Sequence, residues 1–400
     1  MRVLFITPYY RPAHLGGIER AIERLAEAVG RQGGMERPAI LCTRYAFPPR
    51  YVDGLAAHEI TPEPEGAEVY RLSAWPRAPL PLFPYYSCPV TLFSSRAVAR
   101  ILDDYQPDIV HFVGDGWVWA HLTILARRAG RTAVVFTPSF HDLAGSRWWL
   151  RWPNTLVCRR VERVVVLSGL EWRRVATAYR PRRDHLARIP WGTTVPGAFP
   201  PRDVTGDALT LLCVGRLGEH KGQAWLLDVY IQACTRFKRR TRLVLAGADE
   251  GDVGGRDALA RLIRTHGLEG EVVLTGKVDD AELARLYDAA DLFVLFSRYE
   301  AFGLVYLEAM AHGVPVLTHD VGATAEVLSS GAVIVPRYDA AAAARELVRL
   351  IGDDAARRQL GAEARALVEQ AYSWNVVAAR YKQVYERAIH ERRRATGATA

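Results

Sequence analysis

The sequence predicts an α/β protein made of two doubly wound domains, and three observations carry that prediction. Apolar strand-like runs alternate with amphipathic helical stretches along the whole 400 residues, the pattern of parallel sheets covered by helices on both faces. The alternation comes in two series. Between them lies PWGTTVPGAFPPRDVTGDA, Pro190 to Ala208, rich in Pro and Gly and without periodicity, which reads as a linker with the domain boundary near Gly197.

The first series runs RVLFIT, a helix from about Ile18 to Arg31, PAILCT, AEVYRL, a helix near Ser94 to Asp104, DIVHFV, TAVVFT and RVVVLS. The second runs LTLLCVG, RLVLAG, EVVLTG, DLFVLFS, VPVLTHD and AVIVP, each followed by a glycine or polar turn and a helical pattern. A last helix spans about Trp374 to Arg394. The expected domains are residues 1–196, residues 197–373, and a terminal helix over 374–400 that crosses back to the first domain. Two stretches break the rhythm. AWPRAPLPLFPYYSCPVTLF, Ala74 to Phe93, and GSRWWLRWPNTLV, Gly145 to Val157, read as irregular loops packed on the first domain, or as an acceptor-binding wall or interfacial contact, since Trp beside Arg suits a half-apolar, half-anionic neighbour.

Half of the residues are hydrophobic and 24% are charged, a composition that excludes disordered and fibrous classes. No apolar run approaches the roughly 18 residues of a membrane span, and no signal-peptide h-region follows Met1. The expectation is a cytoplasmic protein, with peripheral contact at the inner membrane face as the alternative to a free one. Cys42, Cys88, Cys158, Cys213 and Cys234 form no CxxC pair, so they read as small buried hydrophobes rather than disulfide or zinc ligands.

The net charge of +8 is uneven: up to Val195 there are 26 basic and 17 acidic residues, and beyond it 26 and 27. The basic half reads either as solvated arginine faces or as a surface for an anionic partner such as lipid headgroups or a phosphorylated acceptor. No helix-turn-helix, zinc-finger or RNP signature points to nucleic acid.

Three stretches at strand ends are built for a diphosphate. YYRPAHLGGIE follows the first strand and opens a helix, where Gly16 and Gly17 admit a close ligand and the helix N-terminus favours negative charge. VGRLGEHKGQ puts Arg216 and Lys221 after the first strand of the second domain. EAFGLVYLEAM offers Gly303 and Leu304 backbone N–H groups, Glu300 before the helix and Glu308 one and a half turns in. A carboxylate is the usual acceptor of two vicinal hydroxyls, as on a ribose. Asp115 and His111 stand as general-base candidates against a structural role. No Asp-x-Asp pair closes a strand as a metal clamp, so metal independence is expected.

With LGGIE, VGRL and KG, LAG, LTGKV, EAFGLVYLEAMAHGVPV and VGATAEVL, the chain resembles glycosyltransferase family 4, retaining nucleotide-sugar-dependent enzymes of the GT-B fold, in which two Rossmann-like domains face each other across a cleft. The resemblance implies a donor held mainly by the second domain. Glu300 would meet donor-sugar hydroxyls, Glu308 the ribose, and Arg216 with Lys221 the diphosphate. Nucleotide contacts would also come from Lys277, Val278, Phe302, Gly303 and Leu304. His141 matches a histidine near the sugar, and Gly17 a phosphate-facing loop. The implied activity is hexosyl transfer from a nucleoside-diphosphate sugar, UDP-sugar before GDP-mannose, to a hydroxyl acceptor such as a lipid-linked or anionic glycan precursor. The nucleotide sugar is a co-substrate and no cofactor is implied. The alternatives are a nucleotide-sugar-binding protein without transfer, or an epimerase. Trp191, Thr194 and Val113 depart from the family pattern on the acceptor side.

Overall fold

The computed structural model describes residues 1–7, 10, 17–46, 50–51, 57–60, 67–72, 74–75, 92–114, 118–128, 130, 132–138, 148–197, 208–249, 251 and 254–397. The chain divides into two compact units, Met1–Gly192 with Trp374–Ala400, and Thr193–Ser373. The division falls a few residues before Gly197. Thr193 donates its N–H to the Tyr372 carbonyl at 2.8 Å and bridges Ser373, so the two points where the chain changes unit lie side by side.

In the first unit the strands and helices are β1 (Val3–Ile6), α1 (Gly17–Gly30), β2 (Ala39–Thr43), β3 (Tyr45–Ala46), β4 (Arg50–Tyr51), β5 (His58–Ile60), β6 (Glu68–Leu72), β7 (Ala74–Trp75), β8 (Leu92–Phe93), α2 (Ser95–Tyr105), β9 (Ile109–Val113), α3 (Val118–Arg128), β10 (Ala133–Thr137), α4 (Trp148–Arg160), β11 (Arg163–Val166), α5 (Gly169–Ala178) and β12 (Leu186–Arg188). Eight strands form one sheet in the order β12-β11-β10-β9-β1-β2-β6-β5, parallel except for β5. Strands β1, β2, β9, β10 and β11 are buried along their whole length, which is why they read as continuous apolar runs rather than alternating ones.

Helices fall on defined faces because of where their apolar residues recur. Val98, Ile101 and Leu102 of α2, Leu122 and Ala126 of α3, Val157 and Cys158 of α4, and Val175 of α5 share one core cluster against the sheet, and in α2 and α3 these residues recur at the three- and four-residue spacing of one helix stripe. Ser94 caps α2 and Ser168 caps α5 through side-chain oxygens, satisfying backbone N–H groups that a helix start leaves unpaired.

The stretch around the three tryptophans is a correction. The sequence reading made Gly145 to Val157 an irregular loop, but Trp148–Arg160 is helical. Pro153 removes one backbone hydrogen bond, yet buried Asn154, Val157, Cys158 and Val161 keep a helical stripe, and the crossover from β10 to the parallel β11 needs a covering element. Of Ala74 to Phe93, residues 76–91 lie outside the described residues; the flanking β7 and β8 pair antiparallel.

The second unit holds β13 (Ala208–Val214), α6 (Gln223–Cys234), β14 (Arg240–Ala246), α7 (Arg256–Thr265), β15 (Val272–Gly276), α8 (Asp280–Ala289), β16 (Leu292–Val294), α9 (Leu304–Ala311), β17 (Val316–His319), α10 (Thr324–Val327), β18 (Ala332–Val335), α11 (Ala340–Gly352) and α12 (Asp354–Leu367). Its six-stranded sheet is entirely parallel, ordered β15-β14-β13-β16-β17-β18. The chain builds outward from β13 to β15, then returns to β13's other side with β16. Strand order therefore reverses between β13 and β16, and their carboxyl ends flank the crevice where open α/β sheets take ligands.

The terminal helix α13 (Trp374–Thr396) belongs to the first unit. It lies over β10 and α1, with Val377, Ala378, Tyr381, Tyr385 and Ala388 buried. No helix among the described residues is long and apolar enough to cross a membrane. Cys42, Cys158 and Cys213 are buried and Cys234 is half-buried; Cys88 lies outside the described residues.

Candidate functional site at the strand reversal of the second unit

After β13 the chain passes Gly215, Arg216, Leu217 and Gly218, makes one tight turn over Glu219–Lys221, and enters α6 through Gly222. A Cβ on Gly222, whose φ is +69°, would stand 2.1 Å from the Phe296 carbonyl oxygen. Only glycine lets the loop after β13 press against the loop after β16. Gln223, almost fully buried, donates from Nε2 to the Arg216 carbonyl at 2.9 Å and so ties this loop to the start of α6.

The loop after β16 carries Ser297 to Phe302. Gly322, φ +59°, would place a Cβ 1.8 Å from the Glu300 carbonyl oxygen, so the turn after β17 backs directly onto Glu300. Across the reversal, Lys221 Nζ reaches Glu300 Oε2 at 2.9 Å, with the two side chains 19% and 13% exposed. Ser297 Oγ lies 3.4 Å from the same oxygen. The two residues that the sequence assigned to diphosphate and sugar are thus one half-buried ion pair. Such a pair is held by mutual attraction strengthened outside bulk water, and loss of either partner leaves a poorly solvated charge.

Helix α9 starts at Leu304 with Gly303 as an N-cap that offers no side-chain bond; Tyr306 N–H turns back to the Gly303 carbonyl at 3.0 Å, and a helix start without a side-chain cap can take an anion on its first N–H groups. Glu308 follows on the same helix, and Tyr287 of α8 donates its hydroxyl to Glu308 Oε2 at 2.8 Å. Tyr287 is itself buried, stacked on His312 at 5.3 Å between ring centroids, and His312 Nδ1 lies 2.7 Å from Asp288 Oδ1. Tyr287 therefore fixes the Glu308 carboxylate through one oxygen. The sequence reading missed it, because a tyrosine on an amphipathic helix 21 residues upstream carries no local mark of its partner.

Phe302 is buried and meets Tyr372 edge-on at 6.3 Å, bracing the α9 entry, and Leu304 is half-buried. Arg216 is half-buried in the β13 loop. Lys277 and Val278 follow β15, at the same edge of the sheet but two strands from β13, about 10 Å away at the usual strand spacing. Lys277 is exposed and Val278 half-buried.

In the first unit Gly17 is the exposed first residue of α1. Gly16, His141 and Asp115 lie outside the described residues. His111 is fully buried on β9, with Nδ1 2.8 Å from the Tyr385 hydroxyl and Nε2 2.9 Å from Thr137 Oγ1. Burial pushes its pKa down to about 3. The neutral ring pins α13 to the sheet with both nitrogens occupied, which assigns it the structural role and removes it as a general base. Among the described residues, no three His, Cys, Asp or Glu side chains gather as metal ligands.

Two family descriptions match the chain: Glycosyl transferase 4-like domain over residues 16–192 and Glycosyl transferases group 1 over residues 199–367. Phosphatidyl-myo-inositol mannosyltransferase of Mycobacterium leprae is 28% identical over 404 residues, covering 96% of each chain. Mannosylfructose-phosphate synthase of Agrobacterium fabrum is 31% identical over 188 residues, which cover 44% of this chain and 41% of that one. The match thus spans less than half of the synthase's length. Among solved structures, Anabaena Alr3699/HepE in complex with UDP and glucose superposes with a TM-score of 0.69 at 18% identity, covering 96% of this chain and 99% of that one, a likeness of fold. With two parallel sheets, a strand reversal in the second and family matches covering both units, the chain belongs to the group 1, family 4 glycosyltransferases of the GT-B fold.

Proposed function

We propose that this protein is a retaining glycosyltransferase that moves a sugar from a nucleoside-diphosphate sugar to an acceptor hydroxyl without a metal ion. The observation that carries the reading is the Lys221–Glu300 pair at 2.9 Å, set at the strand reversal beside the start of α9, which has no side-chain cap. Breaking the anomeric C–O bond leaves an extra negative charge on the diphosphate and oxocarbenium character on the sugar. A cation about 4 Å from the leaving phosphate is worth roughly 4 kcal/mol at an effective dielectric of about 20. Lys221 and Arg216 supply that charge, and the N–H groups of Gly303 and Leu304 supply further donors. Glu308, oriented by Tyr287, accepts the ribose hydroxyls. Glu300 is left to face the sugar. In a front-face reaction the departing phosphate oxygen takes the acceptor proton as the new C–O bond forms on the same face.

For the donor the reading favours a UDP-sugar, with GDP-mannose next; the UDP and glucose in the HepE complex support the first. For the acceptor it favours an anionic or lipid-linked hydroxyl compound, supported by the basic first half and by the phosphate-bearing names of both relatives. A thermal-shift screen of nucleoside diphosphates and nucleotide sugars tests the reading, since a ligand at 100 times its Kd adds about 2.7 kcal/mol of stability. One nucleotide series should raise Tm; a flat response across uridine and guanosine diphosphates would overturn it.

A further inference from the structure

We infer that the outer face of the helices α3, α4 and α5 in the first unit is a docking surface for an anionic lipid membrane. These helices cover one face of the β9 to β12 half of the sheet, since their inward residues join a single core cluster. The other face is covered by α1 and α13. Three large hydrophobic side chains are exposed among the described residues, and two are on this layer: Ile124 on α3, 43% exposed, and Trp152 on α4, 54% exposed. Both helices follow parallel neighbouring strands and therefore run the same way, with α3 packed on α4. Ile124 is the seventh residue of its helix and Trp152 the fifth of its own, so each sits in the second turn of its helix.

The charge of this stretch is one-sided, while the neighbouring α2, packed on α3, is balanced, with Arg96, Arg100, Asp103 and Asp104 all exposed. From Val118 to Arg188 the sequence has fourteen arginines against four acidic residues, a surplus of ten where the whole chain has +8. Helices α3 and α4 contain no acidic residue. Of the four acids, Glu162 is engaged by Arg127 at 3.2 Å, Glu171 is buried, and Asp184 pairs with Arg182 at 3.0 Å; Asp142 lies outside the described residues. Arg159, Arg160 and Arg173 are exposed.

Exposed Trp and Ile on an arginine-rich helical layer fit the membrane interface, where the apolar side chains enter the headgroup layer and the guanidinium groups meet lipid phosphates. A nucleic acid would be met by arginine and flat polar contacts and gives no reason for an exposed Ile beside Trp. The surface is independent of the donor site, which lies in the second unit.

Cosedimentation of the full chain with vesicles tests it. The protein should bind mixed phosphatidylglycerol–phosphatidylcholine vesicles, less so as salt rises, and not phosphatidylcholine alone. Arg159→Glu, Arg160→Glu and Arg173→Glu together should lower partitioning by about 10²-fold or more, at about fivefold per arginine near an anionic surface. Trp152→Ala with Ile124→Ser should lower it several-fold on the same vesicles, while circular dichroism and Tm stay at the parent values, as expected for exposed positions. Failure to bind the anionic vesicles, binding unaffected by either set of substitutions, or binding to duplex oligonucleotide in preference to vesicles would each overturn the inference.

Discussion

The ion pair at the strand reversal makes a prediction in which its two halves act with opposite sign. Lys221 Nζ and Glu300 Oε2 are 2.9 Å apart and mostly shielded from water, so the gross attraction is about 6 kcal/mol at an effective dielectric of about 20. Desolvation of both charges consumes much of it, leaving a net value nearer the roughly 1.5 to 3 kcal/mol of a charged hydrogen bond. If Lys221 must leave Glu300 to meet a diphosphate, that net value opposes nucleotide binding. Glu300→Gln should then tighten binding of a bare nucleoside diphosphate by about tenfold, about 1.4 kcal/mol, because the competing carboxylate and its repulsion of phosphate are both gone. Sugar transfer should nonetheless fall steeply, since the carboxylate proposed to meet the donor sugar is lost. Lys221→Met should weaken the same binding by at least about tenfold. Calorimetric titration of the three proteins with UDP and GDP reads both effects. Weaker binding by Glu300→Gln, or unchanged binding by Lys221→Met, would refute the idea that the pair guards a diphosphate site.

Three further outcomes follow from particular contacts. Tyr287→Phe removes the hydroxyl that holds Glu308 at 2.8 Å and should weaken nucleotide binding by about 1 kcal/mol, with little further loss in a Glu308→Gln background; a full additional loss in that double variant, read by titration, would show the two residues to be uncoupled. Gly322→Ala, forced against the Glu300 carbonyl at positive φ, should cost more than about 2 kcal/mol of stability and weaken nucleotide binding, and a parent-like Tm would count against the close approach. His111, held at about 3 by burial, stays neutral when the unfolded chain charges below its ordinary pKa of about 6.5. The stability it contributes is full above that pH and lost as pH falls, by about 1.4 kcal/mol per unit. Glu171, raised to about 7 by burial, favours the folded state at low pH and loses that contribution as pH rises towards its folded value, so the two slopes nearly cancel where both act. The His111 share is isolated by subtracting the urea-unfolding profile of His111→Asn from that of the parent, and a flat difference between about pH 6.5 and 4.5 would contradict the assignment.

Much of this was readable from residues alone because it rests on local rules. Buried parallel strands appear as largely apolar runs, so β1, β9, β13 and β17 could be placed from sequence, and the glycine before Leu304 marked the start of α9. The matching ends of β13 and β16 put Lys221 and Glu300 in one place, which the strand reversal explains and the sequence could only suggest by order. What stayed hidden depends on contacts far apart in the chain. Tyr287 and Glu308, or His111 and Tyr385, meet through helix packing that no spacing encodes. Helix α4 was lost for another reason: Pro153 and the clustered tryptophans obscure its periodicity, and only packing on the sheet restores the stripe of Asn154, Val157, Cys158 and Val161.

The most direct test of the central claim is turnover of the donor at this site. Nucleotide sugars, UDP- and GDP-linked, are incubated with the parent protein and with Lys221→Ala in EDTA, and release of nucleoside diphosphate and the anomeric configuration of the product are followed by proton NMR. The account predicts release from one nucleotide series without added metal, a product that keeps the donor's configuration, and a rate lower by about 10²-fold or more in Lys221→Ala. Tight nucleotide binding with no release in the presence of candidate hydroxyl acceptors, a strict need for magnesium or manganese, or parent-like turnover by Lys221→Ala would contradict it.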